Sequence, residues 1–198
     1  GWQIPIVTND NHVSSQIKQI KTDEILNFIS QKGVAIIAGF QGISKKNRIT
    51  TLGRGGSDLS AVAIAKFFKT DSCEIYTDVD GVLTTDPSIN EKAKKIDKIS
   101  YEEMLEMSSL GAKVMQPAAV QTAMTNNIPV HVRSAFSGKF GTKIISEGDI
   151  DNKKMVTGIA YSKKNAKVSI VGVVDKPGVA ADVFEPIGKN NINIDMVI

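Results

Sequence analysis

The chain has 198 residues, of which 41% are hydrophobic and 23% are charged, and its formal net charge is +3. These values are typical of a globular protein with one large domain, or one domain and a smaller second one. The mild charge argues against a nucleic-acid partner, and no apolar run is long enough to cross a membrane. The single cysteine, Cys73, cannot form an internal disulfide, so we expect a reducing compartment such as the cytoplasm.

The first part of the chain predicts strands and one helix before a glycine-rich stretch. A short strand is predicted over residues 1–7, where either the domain begins upstream or this strand is an edge strand, and a helix that Thr22 caps and Gly33 ends follows. Residues 34–40 are continuously apolar, which is typical of a strand covered on both faces in a parallel sheet. A hairpin with its tip at residues 45–48 follows, and its second strand leads into the glycine-rich stretch.

Residues 51–58, Thr-Leu-Gly-Arg-Gly-Gly-Ser-Asp, connect this strand to an amphipathic helical pattern. The glycines allow a ligand to approach the backbone closely, and we expect Ser57 and Asp58 to cap the following helix. Free N–H groups at a helix start attract an anion, and the guanidinium of Arg54 suits a carboxylate or phosphate. The loop is neither a Walker loop nor a dinucleotide fingerprint, and on its own it also fits a tight turn with a surface arginine.

A second candidate site follows the strand predicted at residues 73–77. Asp78 and Asp80 come directly after this strand, where carboxylates can hold Mg²⁺ through water or contact a ribose or adenine. They also fit a turn in which both aspartates are solvated and bond to their own backbone. Lys113 follows a predicted helix and can reach a nucleotide phosphate, although a lone lysine also fits an ordinary exposed surface.

The alternation of strands and helices predicts an α/β sandwich with ligands at the carboxyl ends of strands. A capping box at Ser100 and Glu103 opens one of the later helices. A charged stretch then marks a boundary between a first domain over residues 1–148 and a second over residues 149–198. The second domain is predicted to contain a strand, a helix and a strand, at residues 166–174, 179–189 and 192–198. A unit of one strand, one helix and one strand cannot form a hydrophobic core of its own.

Several motifs that occur in order are more specific together than any one alone. They are residues 39–42 (Gly-Phe-Gln-Gly), 50–58 (Thr-Thr-Leu-Gly-Arg-Gly-Gly-Ser-Asp), 74–81 (Glu-Ile-Tyr-Thr-Asp-Val-Asp-Gly), 86–87 (Asp-Pro), 100–104 (Ser-Tyr-Glu-Glu-Met) and 109–114 (Ser-Leu-Gly-Ala-Lys-Val). This set closely resembles the aspartate kinases of the amino acid kinase family. Residues 171–178 and 191–195 resemble the start of the ACT regulatory region of those enzymes, so the resemblance covers nearly the whole chain.

The resemblance implies a three-layer αβα sandwich of the amino acid kinase type, later part only, followed by a partial ACT-like ββα-type α+β unit. It implies transfer of the γ-phosphate of ATP, with Mg²⁺, to the side-chain carboxylate of L-aspartate, which is the first step toward lysine, threonine and methionine. A carboxylate is already ionised at neutral pH, so this reaction needs no general base. No catalytic histidine is therefore expected. His12 and His131 also lack metal-ligand spacing, so no metal ligand is assigned.

The resemblance also assigns residues to each site. Arg54 and Ser57 are implied as catalytic residues, and aspartate is bound by Arg54, Gly55, Gly56 and Ser57. The implied nucleotide site consists of Thr77, Asp78, Asp80, Gly81, Leu83, Lys113 and Val114. The implied effector site, for lysine or threonine, consists of Asp175, Gly178, Val179, Ala180, Ile192 and Asn193. Effector sites of this kind commonly form between the ACT units of two subunits, which implies a homo-oligomer.

Two departures from the family pattern qualify this interpretation. The Lys-Phe-Gly-Gly-Thr-Ser motif, which supplies a phosphate-binding lysine and part of the aspartate site, does not occur in the chain, and the ACT region is incomplete. We therefore expect an internal piece of the enzyme with little or no kinase activity alone. The alternatives are a catalytically silent regulatory subunit that binds lysine or threonine, and a sister kinase acting on glutamate, acetylglutamate or a nucleotide. The Gly-Arg-Gly-Gly-Ser-Asp loop and the ACT-like tail argue against the sister kinase.

Overall fold

The computed structural model describes residues 6–151, 155–162, 166, 168–190, 192 and 194. Its contacts divide the chain into two units, Gly1–Tyr161 and Ser162–Ile198. Both strands and helices build the first unit, in agreement with the predicted α/β class. The domain boundary predicted after residue 148 stays a prediction. Among the described residues, no helix is both long enough and apolar enough to span a membrane.

A four-stranded sheet forms the first half of the larger unit. Its strands are β1 (Ile6–Thr8), β2 (Ile17–Ile20), β3 (Gln41–Ser44) and β4 (Ile49–Thr51), in the spatial order β2-β1-β3-β4. β3 and β4 form the predicted antiparallel hairpin, and β1 pairs in parallel with β3. The hydroxyl oxygens of Thr8 in β1 and Thr50 in β4 lie 2.6 Å apart, and their hydrogen bond links the β1–β2 pair to the β3–β4 pair.

A second four-stranded sheet carries the main hydrophobic core. Its strands are β5 (Cys73–Thr77), β6 (Lys98–Ser100), β7 (Val130–Ser134) and β8 (Thr142–Ile145), in the order β5-β7-β8-β6. The helices of this unit are α1 (Asp23–Ser30), α2 (Gly56–Phe68), α3 (Tyr101–Ser109) and α4 (Pro117–Thr125). α4 contacts both α2 and α3. Their apolar faces and alternate residues of the strands bury a common core that includes Val62, Met104, Val120, Val132 and Ile144.

The two central strands of this sheet end side by side. β5 and β7 are parallel, and Thr77 at the end of β5 pairs with Ser134 at the end of β7. α2 packs on β5, and only four residues, 69–72, connect the two elements. The carboxyl ends of parallel strands are the edge where α/β folds bind ligands.

The strand predicted at residues 34–40 is wrong for this chain. These residues join no sheet in the part of the chain that the structure describes, and Val34 and Ile36 are 83% and 93% exposed. The apolar run predicted a strand covered on both faces, but a strand also needs neighbouring strands to bond its backbone. The described residues supply none, so the segment remains outside both sheets.

Other sequence expectations are corrected in detail. α2 begins at Gly56 with the left-handed Gly55 at its N-cap position, so Ser57 and Asp58 lie in the first turn rather than at the cap. Thr22 occupies the N-cap position of α1, but its side chain makes no capping bond. After this helix the left-handed conformation belongs to Lys32, with φ of +64°, and not to Gly33. The capping box at the start of α3 is confirmed, with both reciprocal bonds present. The short strands β2 and β6 were not predicted.

The second unit contains one described helix, α5 (Val179–Lys189), as the sequence predicts. Gly178 precedes it with φ of +99°. The strand predicted at residues 166–174 is wrong for the described residues of that range, which form no strand. Most of the strand predicted at residues 192–198 lies outside the described residues.

The buried thiol of Cys73 generates a first prediction. Burial, and then the charges of Asp58 and Glu74, raise the pKa of Cys73 to about 11. We expect the folded chain to react with a disulfide reagent at pH 7.5 about 100-fold more slowly than the urea-unfolded chain, because the thiol is both covered and protonated. Spectroscopic release of the reagent's leaving thiolate measures both rates. Similar rates in the two states would contradict the burial of Cys73.

Candidate active site

The glycine-rich loop between β4 and α2 presents an unpaired cation. Gly53 and Gly55 have φ of +81° and +68°, in the left-handed region that glycine tolerates best. Arg54 stands between them and is exposed. Neither its guanidinium nor the backbone N–H of Ser57 has a hydrogen-bond partner among the described residues. A cation and a free N–H at a helix start are the groups that bind a small anion.

Gln116 joins this loop to the start of α4. Its backbone N–H donates to Oδ2 of Asp58 over 3.3 Å. Its side chain lies so close to Gly55 that a Cβ on that glycine would be 2.8 Å from Gln116 Cβ. Lys113 and Val114 precede Gln116 by only a few residues, so this contact brings the predicted lysine loop next to the predicted aspartate loop.

Asp58 and Gln116 were not predicted as site residues. Burial raises the pKa of Asp58, while its bonds from the N–H of Gln116 and the hydroxyl of Ser57 lower it. Asp58 is therefore a half-buried carboxylate at the junction of two loops, a place where structural and functional roles are both common. The only sequence signal for the contact was the position of Pro117, which marks Gln116 as a helix start.

The other predicted residues follow β5 directly. The hydroxyl of Thr77 donates to Oδ1 of Asp78 over 3.1 Å, and Asp78 is exposed. Gly81 has φ of +140°, and a Cβ there would be 2.5 Å from the hydroxyl of Thr142. Leu83 is half-buried and bridges to Lys95. The contact between Thr142 and Gly81 holds this loop against the sheet edge where β5 and β7 end.

Asp80 has partners that the sequence did not indicate. Its two carboxylate oxygens accept hydrogen bonds from the hydroxyl of Ser137 over 2.8 Å and from Nζ of Lys139 over 2.5 Å. Lys139, and then Ser137, lower the pKa of Asp80. In this structure Asp80 therefore ties the loop after β5 to residues 135–141, the loop after β7. Its predicted role toward a nucleotide stays a prediction.

The structure thus brings the predicted kinase residues into two groups. Gln116 joins the loop that carries Arg54 to the segment that carries Lys113 and Val114, and Thr77 to Leu83 follow β5 at the edge where β5 and β7 end. The effector residues lie on the second unit. Among them Gly178, Val179 and Ala180 surround the start of α5, Asp175 and Ile192 are exposed, and Asn193 lies outside the described residues. In the described part of the chain, no cluster of metal-binding side chains occurs.

Two family models match the chain, one for the amino acid kinase family over residues 3–134 and one for the ACT domain over residues 168–198. The chain belongs to the amino acid kinase family. Its curated relatives include an aspartokinase of Helicobacter pylori strain J99, 45% identical over 202 residues, and an aspartate kinase Ask_LysC of Stutzerimonas stutzeri, 45% identical over 199 residues. Both alignments cover 100% of this chain but only 50% and 48% of the relatives.

Solved structures of this kinase family agree with the fold. E. coli aspartokinase III in complex with aspartate and ADP matches 98% of the chain with a TM-score of 0.82 and 30% identity, while the chain covers 44% of that enzyme. An aspartate kinase from Clostridium acetobutylicum matches 70% of the chain with a TM-score of 0.61 and 35% identity. The predicted amino acid kinase fold is confirmed, and the chain spans about half the length of the curated relatives it matches.

The close approach of Gly55 to Gln116 generates a prediction on the stability of this kinase fold. Gly55→Ala adds a Cβ that overlaps the Gln116 side chain and forces a non-glycine residue into left-handed backbone, so we expect a loss of about 1–3 kcal/mol. Urea denaturation followed by circular dichroism measures it. Gly138→Ala is the matched control, because no atom lies within 4 Å of the Cβ it adds. Equal losses in the two variants would contradict the packing described.

The ion pair at Asp80 generates a further prediction. Lys139 is the main cause of the lowered pKa of Asp80, so Lys139→Ala should raise that pKa toward its usual value of about 3.9. Carboxyl-carbon NMR of the titrating side chain measures the shift. Lys143→Ala, which removes a lysine that lies over Phe140, should leave the pKa of Asp80 in place. A value unchanged by Lys139→Ala would show that the ion pair does not form in solution.

Proposed function

We propose that this chain is part of an aspartate kinase that transfers the γ-phosphate of ATP to the side-chain carboxylate of L-aspartate. The observation that carries the proposal is the bond from Gln116 to Asp58, which joins the loop of the exposed Arg54 to the segment that carries Lys113. The aspartokinase relatives, identical at 45% of positions, support it, as does a structural neighbour that binds aspartate and ADP.

The roles follow from the charge of each group. Arg54, with Gly55, Gly56 and Ser57, binds the carboxylate groups of aspartate, since an arginine fork matches a carboxylate and glycine lets the ligand approach. A side-chain carboxylate oxygen of the bound aspartate attacks the γ-phosphorus, and the bond from that phosphorus to the departing ADP oxygen breaks. The nucleophile is already ionised, so the site needs alignment and positive charge rather than a general base.

We assign the nucleotide to a site with two groups of residues. The loop after β5 supplies the first group, Thr77, Asp78, Asp80, Gly81 and Leu83. The second group is Lys113 and Val114, and we assign Lys113 to the phosphates of the nucleotide. Mg²⁺ accompanies ATP and neutralises its phosphates, and we assign it no protein ligand from the described residues. Residues 1–148 are proposed as the kinase part and residues 149–198 as the linker and partial regulatory part.

Regulation is assigned to the second unit. The ACT family match and a structural neighbour solved with lysine and aspartate support an amino-acid effector, lysine or threonine, held by Asp175, Gly178, Val179, Ala180, Ile192 and Asn193. Pairing of ACT units in a homo-oligomer would complete this site. A cytoplasmic location fits the unpaired cysteine and the amino-acid substrate.

A chimera tests the proposal, with this chain in place of the matching half of the Helicobacter pylori relative. We expect ATP-dependent formation of aspartyl phosphate, trapped as the hydroxamate, whereas this chain alone should form little or none. Arg54→Ala should lower kcat/KM for aspartate about 100-fold or more, because it removes a charge-assisted carboxylate contact. Arg48→Ala, an exposed arginine on the β3–β4 hairpin, is the control and should retain activity.

A measurement of nucleotide binding distinguishes the proposed kinase function from that of a catalytically silent regulatory subunit. Asp78→Ala in the chimera should weaken binding of Mg·ATP, measured by calorimetry, while leaving the unfolding midpoint near that of the parent. A folded chimera that binds lysine or threonine but no nucleotide would contradict the kinase assignment and support the regulatory subunit.

A further inference from the structure

Residues 157–160, called the linker segment below, lie between the two regions that match family models. The amino acid kinase match ends at residue 134, and the ACT match begins at residue 168. The linker segment belongs to the first unit, which ends at Tyr161. Neither family match covers it, yet its contacts reach the end of the loop after β5.

Two residues of the linker segment contact α3. The hydroxyl of Thr157 donates to Oε1 of Glu103, whose other carboxylate oxygen completes the capping box of that helix. A Cβ on Gly158 would be 2.8 Å from Cε of Met107 and 3.2 Å from the carbonyl oxygen of Thr84. Glycine therefore lets the linker segment lie directly between the side of α3 and the backbone of Thr84.

The next residue, Ile159, bonds Thr84 through its backbone. Its N–H donates to the C=O of Thr84 over 2.8 Å, whereas its side chain is 65% exposed. Thr84 also donates its own N–H to the C=O of Lys94 over 2.8 Å, and its hydroxyl accepts from the N–H of Lys94 over 3.0 Å. Two segments distant in sequence thus hold Thr84, one at Lys94 and the other at Ile159.

Thr84 directly follows Leu83, the last residue that the loop after β5 supplies to the proposed nucleotide site. Earlier in this loop, Asp80 accepts from the hydroxyl of Ser137, and the N–H of Val82 donates to Oγ1 of Thr142 over 2.9 Å. The linker segment fixes the far end of the same loop. A loop held in one arrangement pays less ordering entropy when a ligand binds to it.

We propose that the linker segment is a positioning element of the nucleotide site. The bond from Ile159 to Thr84 and the packing of Gly158 hold the loop after β5 in the arrangement that binds the nucleotide. Both residues act through Thr84, and neither contacts the ligand. This inference rests on the proposed kinase function, because it requires a nucleotide at that loop.

Two substitutions in the whole chain test the proposal. Ile159→Pro removes the N–H that bonds Thr84, and Gly158→Val places a branched side chain where even a Cβ would meet Met107 and Thr84. We expect each substitution to weaken the binding of Mg·ATP about tenfold, as measured by calorimetry. Parent affinity in both variants would overturn the proposal.

A matched control is available for each substitution. Val156→Pro introduces a proline at a residue that is 66% exposed and whose N–H has no backbone partner among the described residues. Gly148→Val adds a side chain where a Cβ would meet only the hydroxyl of Ser146, at 4.0 Å. Both controls should bind Mg·ATP as the parent does. Equal weakening in the controls and the test variants would overturn the assignment to Ile159 and Gly158.

Steady-state kinetics of the chimera separate positioning from a general loss of stability. Ile159→Pro should raise KM for ATP about tenfold and leave KM for aspartate within twofold of the parent value. The urea unfolding midpoint should stay near that of the parent chimera. A parallel rise of both KM values would overturn the proposal, since it would indicate a general disturbance of the site.

Hydrogen exchange of the nucleotide-free chain makes the two proposals fail separately. The amide of Thr84 should exchange about tenfold faster in Ile159→Pro than in the parent, because one of its two anchors is lost. Unchanged exchange would overturn the positioning role without bearing on the kinase function. A parent chain and chimera that bind no Mg·ATP would contradict the kinase function and overturn the nucleotide role of the linker segment with it.

Discussion

The contact between Gln116 and the start of α2 is the constraint on which the site depends. One backbone N–H bonded to Asp58, together with the close approach to Gly55, holds the starts of two helices together. The arginine loop leads into the first of these helices, and the lysine loop leads into the second. Gly55 must be glycine for two reasons, since its backbone is left-handed and the glutamine leaves no room for a side chain.

Local signals were sufficient to predict much of this fold. The capping box at Ser100 predicted the start of α3, because its two bonds lie within four residues of the chain. β5 and α5 were predicted with the bounds that the structure has, since each is bordered by turn residues that end the apolar pattern. The residues of the candidate site came from motifs, and the structure adds Asp58, Gln116 and the Ser137–Lys139 contacts of Asp80, which depend on partners distant in sequence.

Long-range partners also explain the errors. Residues 34–40 have the composition of a buried strand, but composition does not show which strand lies beside them, and the described residues provide none. β2 and β6 are too short for a periodic signal and exist because β1 and β8 pair with them. The same limit applies to the tail, where a strand was predicted from apolar content alone. A sequence pattern indicates the secondary structure that a segment prefers, but a segment with strand preference forms a strand only where a neighbouring strand pairs with it.

Amide NMR of the isotopically labelled chain, titrated with Mg·ATP, locates the nucleotide site without requiring catalysis. We expect saturable shifts that concentrate at residues 77–83 and 113–116, and that extend through Gln116 to the arginine loop at residues 53–58. Shifts confined to other surfaces, such as residues 175–180, or no saturable shift at the end of β5, would contradict a shared substrate and nucleotide edge.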